Sequence, residues 1–226
     1  MFQSRLPRKN SCQLSDCPPR VGSTGGIMEL ADKKTKLDKI ADSILNRRID
    51  IEIAKTCTNP VPGEGNPNAK IVFIGEAPGA QEDKLGRPFV GASGKFLDEM
   101  LSSIGLERSD VFITNIVKFR PPGNRDPRPD EIKACLPWLV KQLRVIDPAV
   151  VVFLGRHSMN VFFPELKISE AHGQPLKRRV KTDGQAAFEA TFLPLYHPAA
   201  ALYNGSMRQT LMEDFAKIPA LLELIK

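Results

Sequence analysis

The sequence has no uninterrupted apolar run approaching the roughly 18 residues that cross a bilayer, which excludes a membrane-spanning helix. It shows no apolar core of a secretory leader near its start, so the interior of the cell is the expected location. Cysteine is scarce: Cys12, Cys17, Cys57 and Cys135 are the four in 226 residues. Without a leader, thiols are more often reduced or metal-bound than disulfide-paired. Cys12 and Cys17 have four residues between them and no second close pair follows, a poor match to a closed metal-binding set. No Gly-Lys-Ser/Thr phosphate loop and no internal repeat occur. What is present suffices for a packed core: 42% of residues are hydrophobic and 26% charged, which excludes global disorder. The length suits one compact α/β domain or a domain with a tail. Lys and Arg number 32 against 26 Asp and Glu, a net charge of +6 that favours a polyanionic partner over a cationic one.

Residues 1–32 read as a disordered N-terminal tail before a domain over 33–226. Arg5, Arg8, Lys9 and Arg20 lie among Pro18-Pro19 and Gly25-Gly26 with no hydrophobic period. Sequence upstream of a natural start at Met28, or a basic arm touching nucleic acid, are alternatives. From Lys33 to about Arg48, Leu37, Ile40, Ile44 and Leu45 recur at helical spacing. Lys70-Ile-Val-Phe-Ile-Gly75 is a β-branched run ending in glycine, the pattern of a buried parallel strand. Gly94 to Ile104 reads as a helix closed by Gly105, and Val111 to Val117 as a second strand. After a proline-rich loop, Asp130 opens a helix continued by Ile132, Cys135, Leu136, Leu139 and Leu143. Ala149 to Leu154 and Ala190 to Leu195 give two further strands, separated by a short helix over Ser158 to Phe163 and a polar stretch from Ser169 to Gly184. A last helix is expected from about Arg208 to Ile225, bent at Pro219. Strands alternating with helices imply a parallel sheet covered on both faces, with ligands at the carboxyl ends of its strands.

Three of those ends carry distinctive residues. Gly75-Glu-Ala-Pro-Gly79 follows the first strand, and its glycines let backbone approach a ligand closely. Its glycines and proline alone suit an ordinary βα turn, but Glu76 places a carboxylate where such sheets do chemistry. Asn115 interrupts the apolar second strand, where a polar side chain costs free energy unless hydrogen-bonded. Its amide matches the edge of a pyrimidine or purine, or equally bonds a neighbouring loop backbone. His197, fixed by Pro198 after the last strand, can donate to a developing anion. Phe89, in Gly86-Arg-Pro-Phe-Val-Gly91, is either a hydrophobic plug or a platform for a planar ring. His157 and His172 have no recognisable partner and read as structural or exposed.

These segments occur in one order with Val61-Pro-Gly-Glu-Gly-Asn66, Glu82-Asp83, Ile113-Thr-Asn-Ile-Val-Lys118, Arg120-Pro-Pro122 and His197-Pro-Ala199. In sequence and spacing, from about Ile40 to Lys217, the chain resembles the family-4 uracil-DNA glycosylases of bacteria and archaea. The resemblance implies a three-layer α/β/α sandwich around a four-stranded parallel sheet, and hydrolysis of the bond joining uracil to deoxyribose in DNA. It also implies base-excision repair in the cytoplasm of a bacterial or archaeal cell, and the chain is expected to act as a monomer. Carried over by position, Glu76 would act near the attacking water or the sugar. Phe89 would stack on the extruded uracil within the turn of Gly75, Ala77 and Gly79. Asn115 would read the uracil edge, and His197 would hydrogen-bond its O2. Sister enzymes place an aspartate where this chain has Ala77, which implies heavier reliance on stabilising the leaving group. Arg87, Lys118, Arg120, Arg125 and Arg128 in the crevice-side loops, with Lys177-Arg-Arg179, are candidate DNA contacts or a solvated basic face. Leu202, with Tyr203 as a rival, is a candidate wedge for the gap left by a flipped base.

The resemblance fails at the family's four-iron, four-sulfur cluster. Of the four cluster positions, Cys135 matches, Phe119 stands at the third, and the first two fall near Arg48 and Ile51. A cluster held by Cys135 alone is not viable, so no cofactor is expected, with Phe119 and Ile51 filling the vacated space. A related subgroup bonds covalently to the abasic sugar through a histidine in the loop after the Asn115 strand. That loop, Lys118 to Asp130, contains none. Two rival functions stand beside the glycosylase: a non-catalytic or weakly active damaged-DNA binding protein on the same fold, and a small-molecule nucleotide enzyme. The intact Glu76, Phe89, Asn115 and His197 argue against the first, and the missing phosphate loop against the second.

Overall fold

The computed structural model describes residues 30–47, 49–180 and 188–224. Most of the expected tail, residues 1–29, lies outside them, as do Arg48, Cys12 and Cys17. The first helix, α1 (Leu30–Leu45), takes in the last three residues assigned to that tail and is followed by the short α2 (Glu52–Thr56).

Among the described residues the sheet has six strands, in the order β1-β3-β2-β4-β6-β5. Its centre is the expected set of four parallel strands, β2 (Ile71–Gly75), β3 (Phe112–Asn115), β4 (Val150–Leu154) and β6 (Phe188–Leu195). Two antiparallel strands extend that centre at its edges. The two-residue β1 (Glu64–Gly65) pairs antiparallel with β3, and β5 (Leu176–Val180) pairs antiparallel with β6, making the sheet mixed. β5 falls in the stretch read only as polar, because its middle is Lys177-Arg-Arg179, charges that an edge strand tolerates and a buried one does not.

Successive residues of a strand point to opposite faces, and the central strands are apolar on both. Val72, Ile74, Phe112, Val151, Phe153 and Phe192 face one layer with α1, α2, α5 (Pro129–Ile146) and α6 (Arg156–Phe162). Ile71, Phe73, Ile113, Val150, Val152, Leu154, Leu193 and Leu195 face the other. That layer holds α4 (Ala92–Ser103), α8 (Gly205–Phe215) and α9 (Ile218–Leu224). The remaining helices, α3 (Ala80–Leu85) and α7 (Ile168–Ala171), lie in connecting segments. The expected last helix is two, broken at Ala216–Lys217 ahead of Pro219. Phe153 shows the density of the first layer: its ring stacks on Phe192 at 5.7 Å and meets Phe163 edge-on at 6.0 Å. Full burial of such a side chain stabilises by about 1.5–3 kcal/mol, so the sheet is a rigid platform for whatever its strand ends carry.

The chain steps from β2 outward to β3 and then crosses back to β4 on the other side of β2. The first connection runs over the α4 face and the second over the α5 face, as right-handed crossovers in opposite directions require. The reversal between β2 and β4 leaves a crevice at their carboxyl ends.

Candidate active site

Three of the four parallel strands deliver residues to a cavity in that crevice. The cavity, of about 370 Å³, is lined by Glu76 and Ala77 after β2, Asn115 at the end of β3, His197 after β6, and Phe89 from the loop before α4. Gly79 and Glu82 close one side, and Asn124, Arg125 and Asp126 the other. A roomier hollow of about 580 Å³ lies beside α1 and the β1 edge, away from the carboxyl ends of the four parallel strands.

Phe89 is 6% exposed and its φ is 51°, a left-handed backbone that a bulky residue adopts only under constraint. Such a conformation costs on the order of 1–3 kcal/mol and persists where the surroundings over-determine it. The Glu82 carboxylate accepts from the Val90 and Gly91 N–H groups at 2.8 and 2.9 Å. Gly94 lets the first turn of α4 lie against the Phe89 backbone, where a Cβ would strike the Phe89 carbonyl. The Phe89 ring faces the His197 ring with centroids 5.9 Å apart, and both residues line this slot at the strand ends.

Asn115 is 2% exposed. The chain beyond it bonds back onto the neighbouring strand end, Ile116 N–H to Gly75 C=O and Val117 N–H to Glu76 C=O, each at 3.0 Å. This return turns Lys118 inward and corrects its assignment as a DNA contact. Lys118 is fully buried; its Nζ donates to Thr114 Oγ1 at 2.6 Å, Asn115 C=O at 2.7 Å and Gln142 Oε1 at 2.8 Å. Burial pushes its ammonium down to about 7. A buried, three-fold bonded amine cannot reach a phosphate; it anchors the backbone that carries Asn115.

His197 is held by its own turn. Nδ1 accepts from the Ala199 N–H at 3.1 Å, so the ring proton sits on Nε2. Burial lowers the imidazole to about 4, which keeps it neutral at physiological pH with one N–H to offer. Burial raises the Glu76 carboxyl above its ordinary value, and Asp126 pushes the same way, against His157 and Arg156.

His157 belongs to this site, contrary to the reading of it as structural or exposed. Its Nε2 lies 3.9 Å from Glu76 Oε2 and 3.4 Å from Asp126 Oδ2. The sequence does carry a signal for it: His157 follows Gly155 at the end of a parallel strand, the position that singles out Glu76 and His197. Glu76, Asp126 and His157 converge like metal ligands, their ligand atoms within 4.8 Å of one another. Arg156 Nε, however, donates to His157 Nε2 at 3.1 Å and already supplies the positive charge.

Three of the candidate DNA-contacting arginines are engaged within the fold. Arg87 pairs with Glu64 at 2.7 Å, and Arg120 lies 3.8 Å from Asp83. Arg125 makes a two-pronged pair with Glu131 at 2.6 and 2.9 Å, which fixes the loop ahead of α5. Arg128 is exposed at the start of α5. Leu202 and Tyr203, 38% and 92% exposed, project from the turn after His197.

The residues at the cluster positions do not fit an iron–sulfur cluster. Cys135 is fully buried on α5, and it is the one thiol among the described residues at a cluster position, too few to hold a cluster. Phe119 is fully buried and packs edge-on against Trp138 at 6.0 Å. Ile51 packs against the same cluster of side chains. Cys57, the other thiol among the described residues, points its Sγ at the Ala54 carbonyl 3.9 Å away.

Residues 62–218 match the model of the uracil DNA glycosylase superfamily. The chain is similar to the type-4 uracil-DNA glycosylase of Sulfurisphaera tokodaii, 48% identical over 188 residues, covering 80% of this chain and 83% of the relative. It is 46% identical over 183 residues to that of Saccharolobus solfataricus, covering 80% and 84%. With that of Archaeoglobus fulgidus it shares 46% over 182 residues, covering 80% and 91%.

Proposed function

The chain belongs to the type-4 uracil-DNA glycosylases of the uracil DNA glycosylase superfamily, and from that premise we propose how its crevice excises uracil from DNA in repair. The observation that carries the reading is the single cavity in which Glu76, Phe89, Asn115 and His197 meet.

A stacked base is out of reach, so uracil must be flipped into the pocket at a cost of a few kcal/mol. Leu202 and the exposed Tyr203 suit the wedge that fills the gap. Exposed Arg128, with Arg87, Arg120 and Arg125 in so far as DNA draws them from their carboxylate partners, suits the phosphates. Inside the pocket the base stacks on Phe89, while the Asn115 amide offers a donor and an acceptor to its edge. Breaking the bond between N1 and C1′ leaves the electron pair on uracil as an anion. The His197 Nε2–H donates to O2 as that charge builds. Water adds to C1′ and its proton passes to the Glu76 carboxylate. Ala77 contributes no carboxylate of its own, which places the water's activation on Glu76.

The test is to incubate the protein with uracil-containing and uracil-free oligonucleotides and cleave abasic sites with alkali. Strand breaks at uracil alone are expected. Binding without breaks would make the protein a damaged-DNA binder, and neither would remove DNA from its function.

As Glu76 must be ionised to take the proton, excision is expected to fall as pH drops through its carboxyl, at a pH above the ordinary 4.5. Asp126→Asn removes a charge that raises the carboxyl, so the inflection of kcat/KM moves to lower pH. An unmoved inflection would detach it from Glu76.

We further infer that the enzyme works without the cluster, since apolar Ile51 and Phe119 stand at cluster positions and the Phe119–Trp138 contact occupies that region. Protein purified without air should be colourless and carry no iron, with excision unaffected by iron chelators. Stoichiometric iron and sulfide would overturn this.

A further inference from the structure

We propose that Arg108, in the turn between α4 and β3 and outside the pocket, is a positioning residue that holds Phe89 in its base-stacking orientation. The inference rests on the reading of Phe89 as the stacking platform.

The Arg108 guanidinium is clamped on both sides. Nη1 donates to the Phe89 carbonyl at 3.0 Å and to Asp98 Oδ1 on α4 at 2.9 Å. Nη2 donates to the Pro88 carbonyl and to Glu64 Oε1 on β1 at 2.9 Å. One planar group thus binds two successive carbonyls of the residue pair that enters the left-handed turn, and two carboxylates on separate elements fix the group. Arg108 is about one-fifth exposed, so these bonds compete little with water. The arrangement gives Glu64, in the Val61–Asn66 segment that no catalytic role absorbs, a function: with Asp98 it braces the arginine.

Phe89 cannot keep φ at 51° by its own preference. Glu82 holds the two N–H groups that follow, and Arg108 the two carbonyls before and at the turn. Removing the clamp from the carbonyl side lets the peptide relax toward extended backbone, which swings the ring out of the slot. Lysine cannot replace the clamp, because a point ammonium lacks the fork that spans two carbonyls.

The test is a double-mutant cycle on the intact chain, read by single-turnover excision and by inhibition with free uracil. Arg108→Gln is expected to slow excision and weaken uracil inhibition, each about tenfold, the scale of a small misplacement at a reacting centre. Two changes acting through one ring are not additive, so R108Q/F89A should match F89A within about twofold. Asp98→Asn, which loosens the brace and spares the guanidinium, should show a smaller loss that also vanishes with F89A. If R108Q does not fold, the D98N cycle alone decides between coupling and independence. Wild-type excision and uracil inhibition in the folded variants, or losses that multiply with F89A, would overturn the proposal. An F89A protein with unchanged excision would instead overturn the stacking reading.

Discussion

His197→Ala is expected to slow uracil excision by about 100- to 1,000-fold, the cost of removing one donor aimed at a developing oxyanion. Binding of uracil-containing DNA should stay within a few-fold of the native protein, because the donor matters most after charge has built on the base. The Ala199 N–H fixes the tautomer by occupying Nδ1, so Nε2 is the donor that faces the cavity. The depressed imidazole adds a pH signature. A free histidine gains its proton near 6.5, whereas burial holds His197 neutral down to about 4. The donor is therefore the same from pH 5 to 8, and no histidine-like inflection in excision should disappear with H197A. Single-turnover kinetics at saturating enzyme separate the chemical step from binding. A rate within threefold of the native protein would remove His197 from the reaction.

Much of this site is legible in the sequence because parallel strands write themselves plainly. Ile71–Gly75 and Val150–Leu154 are buried on both faces, so they read as unbroken apolar runs, and the residues after them mark the crevice. Glu76, Asn115 and His197 stand out that way. His157 obeys the same rule but has no partner nearby in the chain; its partners Glu76 and Asp126 are 81 and 31 residues away. Lys118 shows a different loss. A lysine after an apolar strand looks solvent-bound, and only the bonds from Ile116 and Val117 back to the β2 end turn it inward. Arg108 is invisible for the same reason, since its carbonyl partners lie 19 and 20 positions back and depend on the left-handed turn at Phe89. The cysteines give the opposite lesson: the departure from the cluster pattern is readable, and packing of Phe119 on Trp138 supplies its physical form.

The glycine that closes β2 gives the other large expected effect. Gly75→Ala should lower kcat/KM about 100-fold, the loss that a misplacement near 1 Å brings at a reacting centre. Gly75 lies in an ordinary strand conformation, so alanine meets no backbone strain there. Space is the obstacle. A Cβ at Gly75 would come within 2.6 Å of Phe89 Cζ and still closer to Asn115 Oδ1, so both side chains that define the base slot must move. Neither has an easy retreat: Phe89 is held by its turn, and Asn115 is carried on backbone anchored by Lys118. One added methyl in a packed site costs about 1–3 kcal/mol of stability, which a folded domain survives. The variant should thus melt cooperatively at a modestly lower temperature while losing both excision and inhibition by free uracil. Gly205→Ala is the matched control, because a Cβ there meets nothing within 4 Å. Retained inhibition by uracil in a G75A protein would show that the slot tolerates the methyl, and that tight closure around the base by Phe89 and Asn115 is not what positions it for cleavage.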